Sequence, residues 1–250
     1  MTQIPVLLTS SVIAHDTAVA LTDREARTDL ALESVAQWLA IDPELEIVLC
    51  DGSGFDFSEI VNRRFPAAKI ECLYFDNDAA KVRLQGRGFG EGEIVRHAVT
   101  HARVIRQRGC FAKCTSKLWV SNFPQLANQW NATLLLKAVF RNPLSLRKAP
   151  EWDYIDTRFY ISSVDSYLRW FIDAHQSIDV PLGYGLEQCF MAIVQKAEMT
   201  HVLFKTPPVI HGTGGGTGIP YRNSLVRIGK EYLRLLRIRR SKRFARYFSL

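Results

Sequence analysis

The chain has 250 residues, 47% hydrophobic, 11% aromatic and 23% charged, which excludes disorder, a collagen-like fibre and a coiled coil as descriptions of the whole. One sizeable core or two small ones are within reach of that length. The formal charge of +7 suggests a polyanionic partner, but it is unevenly placed: residues 222–250 hold ten basic groups against one acid, Glu231, while residues 1–221 hold 22 against 24. Basicity belongs to the tail, and the body is near neutral.

Five cysteines, an odd number, fit a reducing compartment, with Cys110 and Cys114 lacking the second pair that a zinc site needs. The N-terminus has no basic region before its short apolar stretch, and no run approaches the ~20 apolar residues of a membrane span. A cytoplasmic chain is expected.

Three short apolar runs open the chain, at residues 6–8, 46–50 and 69–75, each ending in small or acidic residues. Residues 24–40 place Leu30, Ala31, Ser34, Val35 and Trp38 at helical spacing before the break at Asp42-Pro43, and residues 55–65 allow a short helix closed by Pro66. The alternation predicts a βαβαβ unit and so a parallel sheet. A glycine-alternating segment at 85–93 then leads into a helix through Ile94, Val95, Ala98, Val99 and Ala102, and residues 111–120 read as a fourth strand with its exit. In open α/β sheets, ligands collect at the carboxyl ends of the strands, where these polar turns fall. Further on, the pattern predicts a strand at 152–161, helices at 164–174 and from 186 to about 198, a short strand at 202–204, and a glycine-rich loop at 212–218. One α/β domain, 1–221, followed by a basic tail, 222–250, is the expected organisation.

Candidate chemistry lies in the turns. Gly86, Gly88 and Gly90, with Arg87 and Glu91, precede a helix, so their amides could approach an anion; a flexible loop with a cap is the plainer reading, and the spacing is not the dinucleotide fingerprint. Asp51-Gly52-Ser53 suits a ribose or base, or an Asx turn. Asp76-Asn77-Asp78 resembles an acidic triplet able to hold Mg²⁺ or Mn²⁺. Lys113 and Lys117 flank Thr115, where they could neutralise a phosphate or simply be solvated. Glu187 stands at a helix start as a base or a cap. His211 precedes the glycine-rich loop, which reads as a lid over a ligand.

Taken in order, these motifs resemble a nucleotide-sugar glycosyltransferase of the GT-A type, in particular the bacterial enzymes that build surface polysaccharide or lipopolysaccharide. The resemblance spans about residues 5–220: the first strand ends in Thr9-Ser10-Ser11, the second in Asp51-Gly52-Ser53, and a glycine-bearing segment starts a helix at Gly86 to Glu91. It implies a GT-A-like, mostly parallel sheet flanked by helices, a nucleotide-sugar donor, a glycan or lipid-linked acceptor, and Glu187 or Asp156 as the base that deprotonates the acceptor. One departure matters. The family's metal-binding D-x-D belongs at the end of the fourth strand, where this chain has Lys113-Cys114-Thr115-Ser116-Lys117. Either Asp76 and Asp78 hold a divalent cation, or the lysines replace the metal. The second is favoured and leaves no certain cofactor; it would suit a donor with a single phosphate.

Two other classes remain: a nucleotidyltransferase, which shares such a sheet, and a nucleic-acid binder, which lacks an aromatic RNA motif or basic residues spread over the body. No specific nucleic acid is expected. In the tail, Tyr232, Leu233, Leu236, Ile238, Phe244, Tyr247 and Phe248 alternate with basic residues, as in an amphipathic helix on an anionic membrane. The enzyme is thus expected at the inner face of the cell membrane, bound peripherally.

Overall fold

The computed structural model describes residues 3–145, 147–216, 218–221 and 223–248. Thr217 of the glycine-rich loop and Arg222, Ser249 and Leu250 of the tail lie outside them. In chain order the elements are β1 (Val6–Ser10), α1 (Arg24–Ile41), β2 (Ile47–Asp51), α2 (Ser58–Arg64), β3 (Ile70–Tyr74), α3 (Ala79–Gln85), α4 (Arg87–His101), α5 (Arg103–Arg108), β4 (Cys110–Thr115) and β5 (Leu118–Val120). Then follow α6 (Phe123–Ala127), β6 (Leu134–Leu135), β7 (Ala138–Arg141), β8 (Glu151–Ile155), β9 (Phe159–Ser163), α7 (Val164–Trp170), α8 (Leu186–Lys196), β10 (Ile210–Gly212) and α9 (Leu225–Arg239).

The main sheet has the order β3-β2-β1-β4-β9-β6, with β1 to β4 parallel and β9 antiparallel to both neighbours. The expected α/β class, a mostly parallel sheet flanked by helices, is what the chain adopts. Strands β1 and β2 are buried along their whole length, as unbroken apolar runs require when helices cover both faces. Alternation then sorts the side chains. Val6, Leu8, Ile47 and Leu49 join Ala31, Val35 and Trp38 of α1 in one core, while Leu7 and Val48 join Ile94, Val95, Ala98 and Val99 of α4 in the other. Helix α1 begins where Asp23 accepts the Ala26 N–H (2.7 Å) and ends before Pro43.

Several expectations on the elements change, and the strand expected at 202–204 is reduced to isolated bridges at Leu203. The glycine alternation is no loop: Gly86 caps α4 with φ +77°, and Gly88, Gly90 and Gly92 lie inside its first turns. These glycines serve close packing, since a Cβ on Gly92 would overlap the Cβ and ring of His175, and one on Gly88 would press Leu186 and Ile178. The run at 152–161 breaks into β8 and β9, because Asp156 folds back to accept the Arg158 N–H (3.2 Å). Strand β8 pairs with β7, which sequence reading passed over, in a separate hairpin.

The end of the chain returns to the body. Ile238, Phe244, Tyr247 and Phe248 are buried in the same core as α4; Phe244 stacks edge-on against Phe140 (4.9 Å) and Tyr247 against Trp152 (4.8 Å). These four, expected on a membrane-facing stripe, are therefore spent inside the protein. Leu225, Val226, Leu233 and Leu236 of α9 stay exposed. Among the described residues, no helix is long and apolar enough to cross a membrane.

Because His175 is fully buried against Gly92, Gly92→Ala is expected to cost about 1–3 kcal/mol, measured as a lower urea midpoint with an unchanged slope.

Candidate active site

The strand order steps outward from β1 to β3 and then reverses to β4 on the other side of β1. That reversal opens a crevice at the carboxyl ends of β1 and β4. A cavity of about 220 Å³ lies there, walled by Thr9, Ser10 and Ser11 at the end of β1, Thr115 and Lys117 at the end of β4, Arg87, Gly90 and Glu91 at the start of α4, and Glu187 at the start of α8. Sequence reading had singled out all of these. Gly214, Gly215 and Gly216 cover it, and the Gly216 carbonyl accepts the Ala20 N–H (3.0 Å), so the glycine-rich loop already bridges to the loop after β1.

The two lysines have opposite fates. Lys113 is fully buried and spent: its ammonium is paired with Glu91 and also donates to the Thr157 carbonyl (2.9 Å) and the Thr115 hydroxyl (3.3 Å). Lys117 is 3% exposed and lines the cavity, yet its ammonium has no hydrogen-bond or ion-pair partner among the described residues. The hydroxyls of Thr9 and Ser10 in the same wall, and of Ser116 beside Lys117, are also buried without partners among the described residues. A buried cation costs several kcal/mol unless it is paired, and unsatisfied hydroxyls add to that. A cluster of orphaned donors at a switch point is arranged for an anion that brings its own acceptors.

Across the cavity, burial pushes the Glu187 carboxyl above its ordinary 4.5, with Glu91 and Asp156 adding to the rise while its own N–H and Arg87 oppose it. Glu91 and Glu187 thus share the site in different roles: Glu91 is held by Lys113, and Glu187 is left ready to take up a proton. Asp156 fares otherwise. Burial alone would raise its carboxyl, but Lys137 (3.3 Å) and Arg158 (2.5 Å) hold it well below the usual carboxylate range, and it does not line the cavity. An expected base, it is an anchor for Arg158, because two cations outweigh its desolvation.

Other expected ligand contacts support the walls from behind. Asp51 is completely buried and accepts from Val12 N (2.9 Å), Ser53 N (2.7 Å) and Ser53 Oγ (2.6 Å), so the Asx-turn reading describes it. Ser53 Oγ accepts the Ile13 N–H (2.9 Å), and a Cβ on Gly52 would strike Asn77 and Ile94. Gly86 and Gly88 lie outside the cavity wall. His211 stacks on Trp119 (5.8 Å) and meets the Ser121 hydroxyl (3.0 Å), away from the cavity. Asp78 caps α3 by accepting from Ala80 and Lys81, and Asp76 lies against Gly54. Neither faces the cavity, and no group of three His, Cys, Asp or Glu among the described residues could hold a metal ion. The acidic triplet does not fit a cation.

Several wall residues were missed from sequence: Asp16, which accepts the Arg87 N–H (3.0 Å) at the start of α4, Arg27, which donates to the Ser11 and Leu21 carbonyls, and Arg158, which stacks on Tyr221 at 4.9 Å. Only Asp16, in the polar turn after β1, carried any signal.

No protein-family model matches the chain, and no curated protein matches it. Among solved structures it is similar to a protein assigned by name as a nucleotide-diphospho-sugar transferase from Desulfovibrio desulfuricans G20, at 11% identity over 82% of this chain and 80% of that one, TM-score 0.49. It is also similar to 4-diphosphocytidyl-2C-methyl-D-erythritol synthase from Anaerococcus prevotii, at 9% identity over 94% and 99%, TM-score 0.47. Mouse xyloside xylosyltransferase 1 is similar at 11% identity over 80% and 84%, TM-score 0.45. All three scores fall below 0.5 and carry no argument about this chain; its α/β class rests on its own strand order.

Burial, with Arg27 adding and Asp51 opposing, lowers the Lys117 ammonium from its ordinary 10.5 to about 7. Between those pH values the unfolded chain binds more protons than the folded one, so stability rises with pH there. Lys117→Met is expected to stabilise the empty protein most below about pH 7, the gain vanishing toward 10.5 in urea melts, while abolishing thermal stabilisation by phosphate-bearing ligands.

Proposed function

We propose that the chain is a glycosyltransferase that moves a sugar from a nucleotide-sugar donor to a growing bacterial glycan or lipid-linked acceptor. The observation that carries this reading is the buried Lys117 at the switch point, without a partner among the described residues, lining one cavity with a carboxylate, Glu187, raised above its ordinary range. Lys117 and the free hydroxyls of Thr9 and Ser10 receive the donor phosphate, and Arg87 lies in the same wall. Charge that develops on the leaving phosphate is met by these fixed donors, which need no reorganisation.

The bond changes are simple. The acceptor hydroxyl oxygen attacks the anomeric carbon, the bond from that carbon to the phosphate oxygen breaks, and the electron pair leaves with the nucleotide. Glu187 takes the acceptor proton. Displacement from the face opposite the phosphate inverts the anomeric centre. The glycine-rich cover excludes water, which would otherwise compete as acceptor. No step is routed through a metal, since Asp76 and Asp78 do not face the site.

The tail supports a peripheral position on an anionic membrane at the inner face of the cell. Helix α9 exposes Leu225, Val226, Leu233 and Leu236 beside its arginines, and basic side chains contribute about 1 kcal/mol each near such a surface. Its far end is part of the core, so point changes test this better than truncation. Leu233→Glu with Leu236→Glu is expected to weaken binding to phosphatidylglycerol vesicles in flotation assays and to leave the melting temperature unchanged.

A thermal-shift screen against UDP, GDP, CMP and their sugars, with and without Mn²⁺, identifies the donor. With that donor, Glu187→Gln is expected to abolish transfer while leaving nucleotide binding intact. The wild-type rate is expected to fall as the pH drops through the raised Glu187 value, and to survive excess EDTA. Retained turnover in Glu187→Gln removes Glu187 as the base. Release of diphosphate from a nucleoside triphosphate would replace sugar transfer with nucleotidyl transfer.

A further inference from the structure

A second cavity, of about 230 Å³, adjoins the first, with Arg158 and Tyr221 lining both. Its walls differ in character. Val139 and Phe140 of β7, Leu203, Val209, and Ile228 and Leu235 of α9 give it an apolar floor, with Arg227, Glu231 and Arg234 of α9 at its rim. Its apolar stretch between β7 and α9 suits hydrocarbon. Toward the shared edge the lining turns cationic. Lys137 and Arg158 both pair with the Asp156 carboxylate, at 3.3 and 2.5 Å, and each side chain keeps part of its surface open, 22% and 34%.

The two ends of the groove ask for one kind of occupant, with an apolar chain at one end and an anion at the other. The anion would sit where the groove meets the cleft. Arg158 is well suited to this: its guanidinium is fixed by Asp156 and by Tyr221, on which it stacks, so it can meet an anion without losing further side-chain freedom. Helix α9 carries the continuity outward, since the same helix that closes the groove with Ile228 and Leu235 exposes Leu233 and Leu236 on its surface.

We propose that this groove binds the lipid part of the acceptor: an amphiphile whose hydrocarbon chain lies between β7 and α9 and whose phosphate meets Lys137 and Arg158, at the edge the groove shares with the Lys117 and Glu187 cleft. This rests on the transfer reading above and names the acceptor class that reading leaves open. The hydrocarbon chain anchors the acceptor, and the phosphate fixes how far its glycan end reaches into the cleft.

The test uses the full chain and farnesyl phosphate below its micelle concentration, titrated by calorimetry, with farnesol and inorganic phosphate as arms lacking the head or the chain. Farnesyl phosphate is expected to bind at least about tenfold more tightly than either. Ile228→Glu, which puts a charge on the apolar floor, is expected to lose about tenfold or more of that affinity while keeping the wild-type thermal shift with the nucleotide. If Ile228→Glu does not fold, Val139→Trp fills the groove instead and carries the same expectation. Equal affinity in wild type and a folded variant overturns the assignment, as does equal binding of farnesol. A concentration-dependent dimer that the variant dissociates assigns the groove to a second copy of the chain. No farnesyl phosphate binding with an intact nucleotide shift removes this inference alone; an absent nucleotide shift in the wild type removes the transfer reading.

Discussion

The Asp51 carboxylate, wholly out of water at the end of β2, holds the cleft together. It takes the Val12 and Ser53 amides and the Ser53 hydroxyl, and through Ser53 it fixes Ile13, so the loop after β1 is tied to the loop after β2. From that loop Asp16 reaches the first amide of α4 and positions Arg87 over the cavity, while Arg27 holds the Ser11 and Leu21 carbonyls from behind. A buried carboxylate is tolerated when several N–H and O–H donors satisfy it, and here those same donors belong to the backbone that forms the wall. Rigidity of the site follows from satisfied charge behind it.

The front of the site is the reverse case. Lys117, Thr9, Ser10 and Ser116 are buried and unmatched among the described residues, so the empty protein carries a cost that an anionic ligand would offset. Lys113, four residues earlier on the same stretch, shows what a lysine does when its purpose is internal: it is matched by Glu91 and two oxygens. The contrast between two lysines of similar burial separates support from ligand recognition.

How much was legible follows from the range of each interaction. The parallel sheet, α1, α8 and the gathering of polar turns at strand ends were readable because strand and helix periodicity and the break at Asp42-Pro43 are local. Thr9, Ser11 and Lys117 were readable as cleft residues because a residue at a strand end in such a sheet can hardly avoid the crevice, and Glu187 because it stands at a helix start behind glycines. Gly88 to Gly92 were misread, since alternating glycines signal a loop locally and only the approach of His175 and Leu186 makes them a helix. Asp156 was misread for a similar reason: a carboxylate near a strand end looks the same whether or not Lys137 and Arg158 neutralise it.

The amino-acid order by itself determined the α/β class, the near-neutral body with its basic end, and the set of turns from which a site could be drawn, because these depend on periodicity, composition and residues adjacent in the chain. Only the tertiary structure decided which lysine is free, which carboxylate is raised, that Asp51 is a tie and not a ligand contact, and that the end of the tail belongs to the core. Each of those is set by partners tens of residues away. Burial and pairing, which fix the charge state and availability of a group, exist only once the chain has folded.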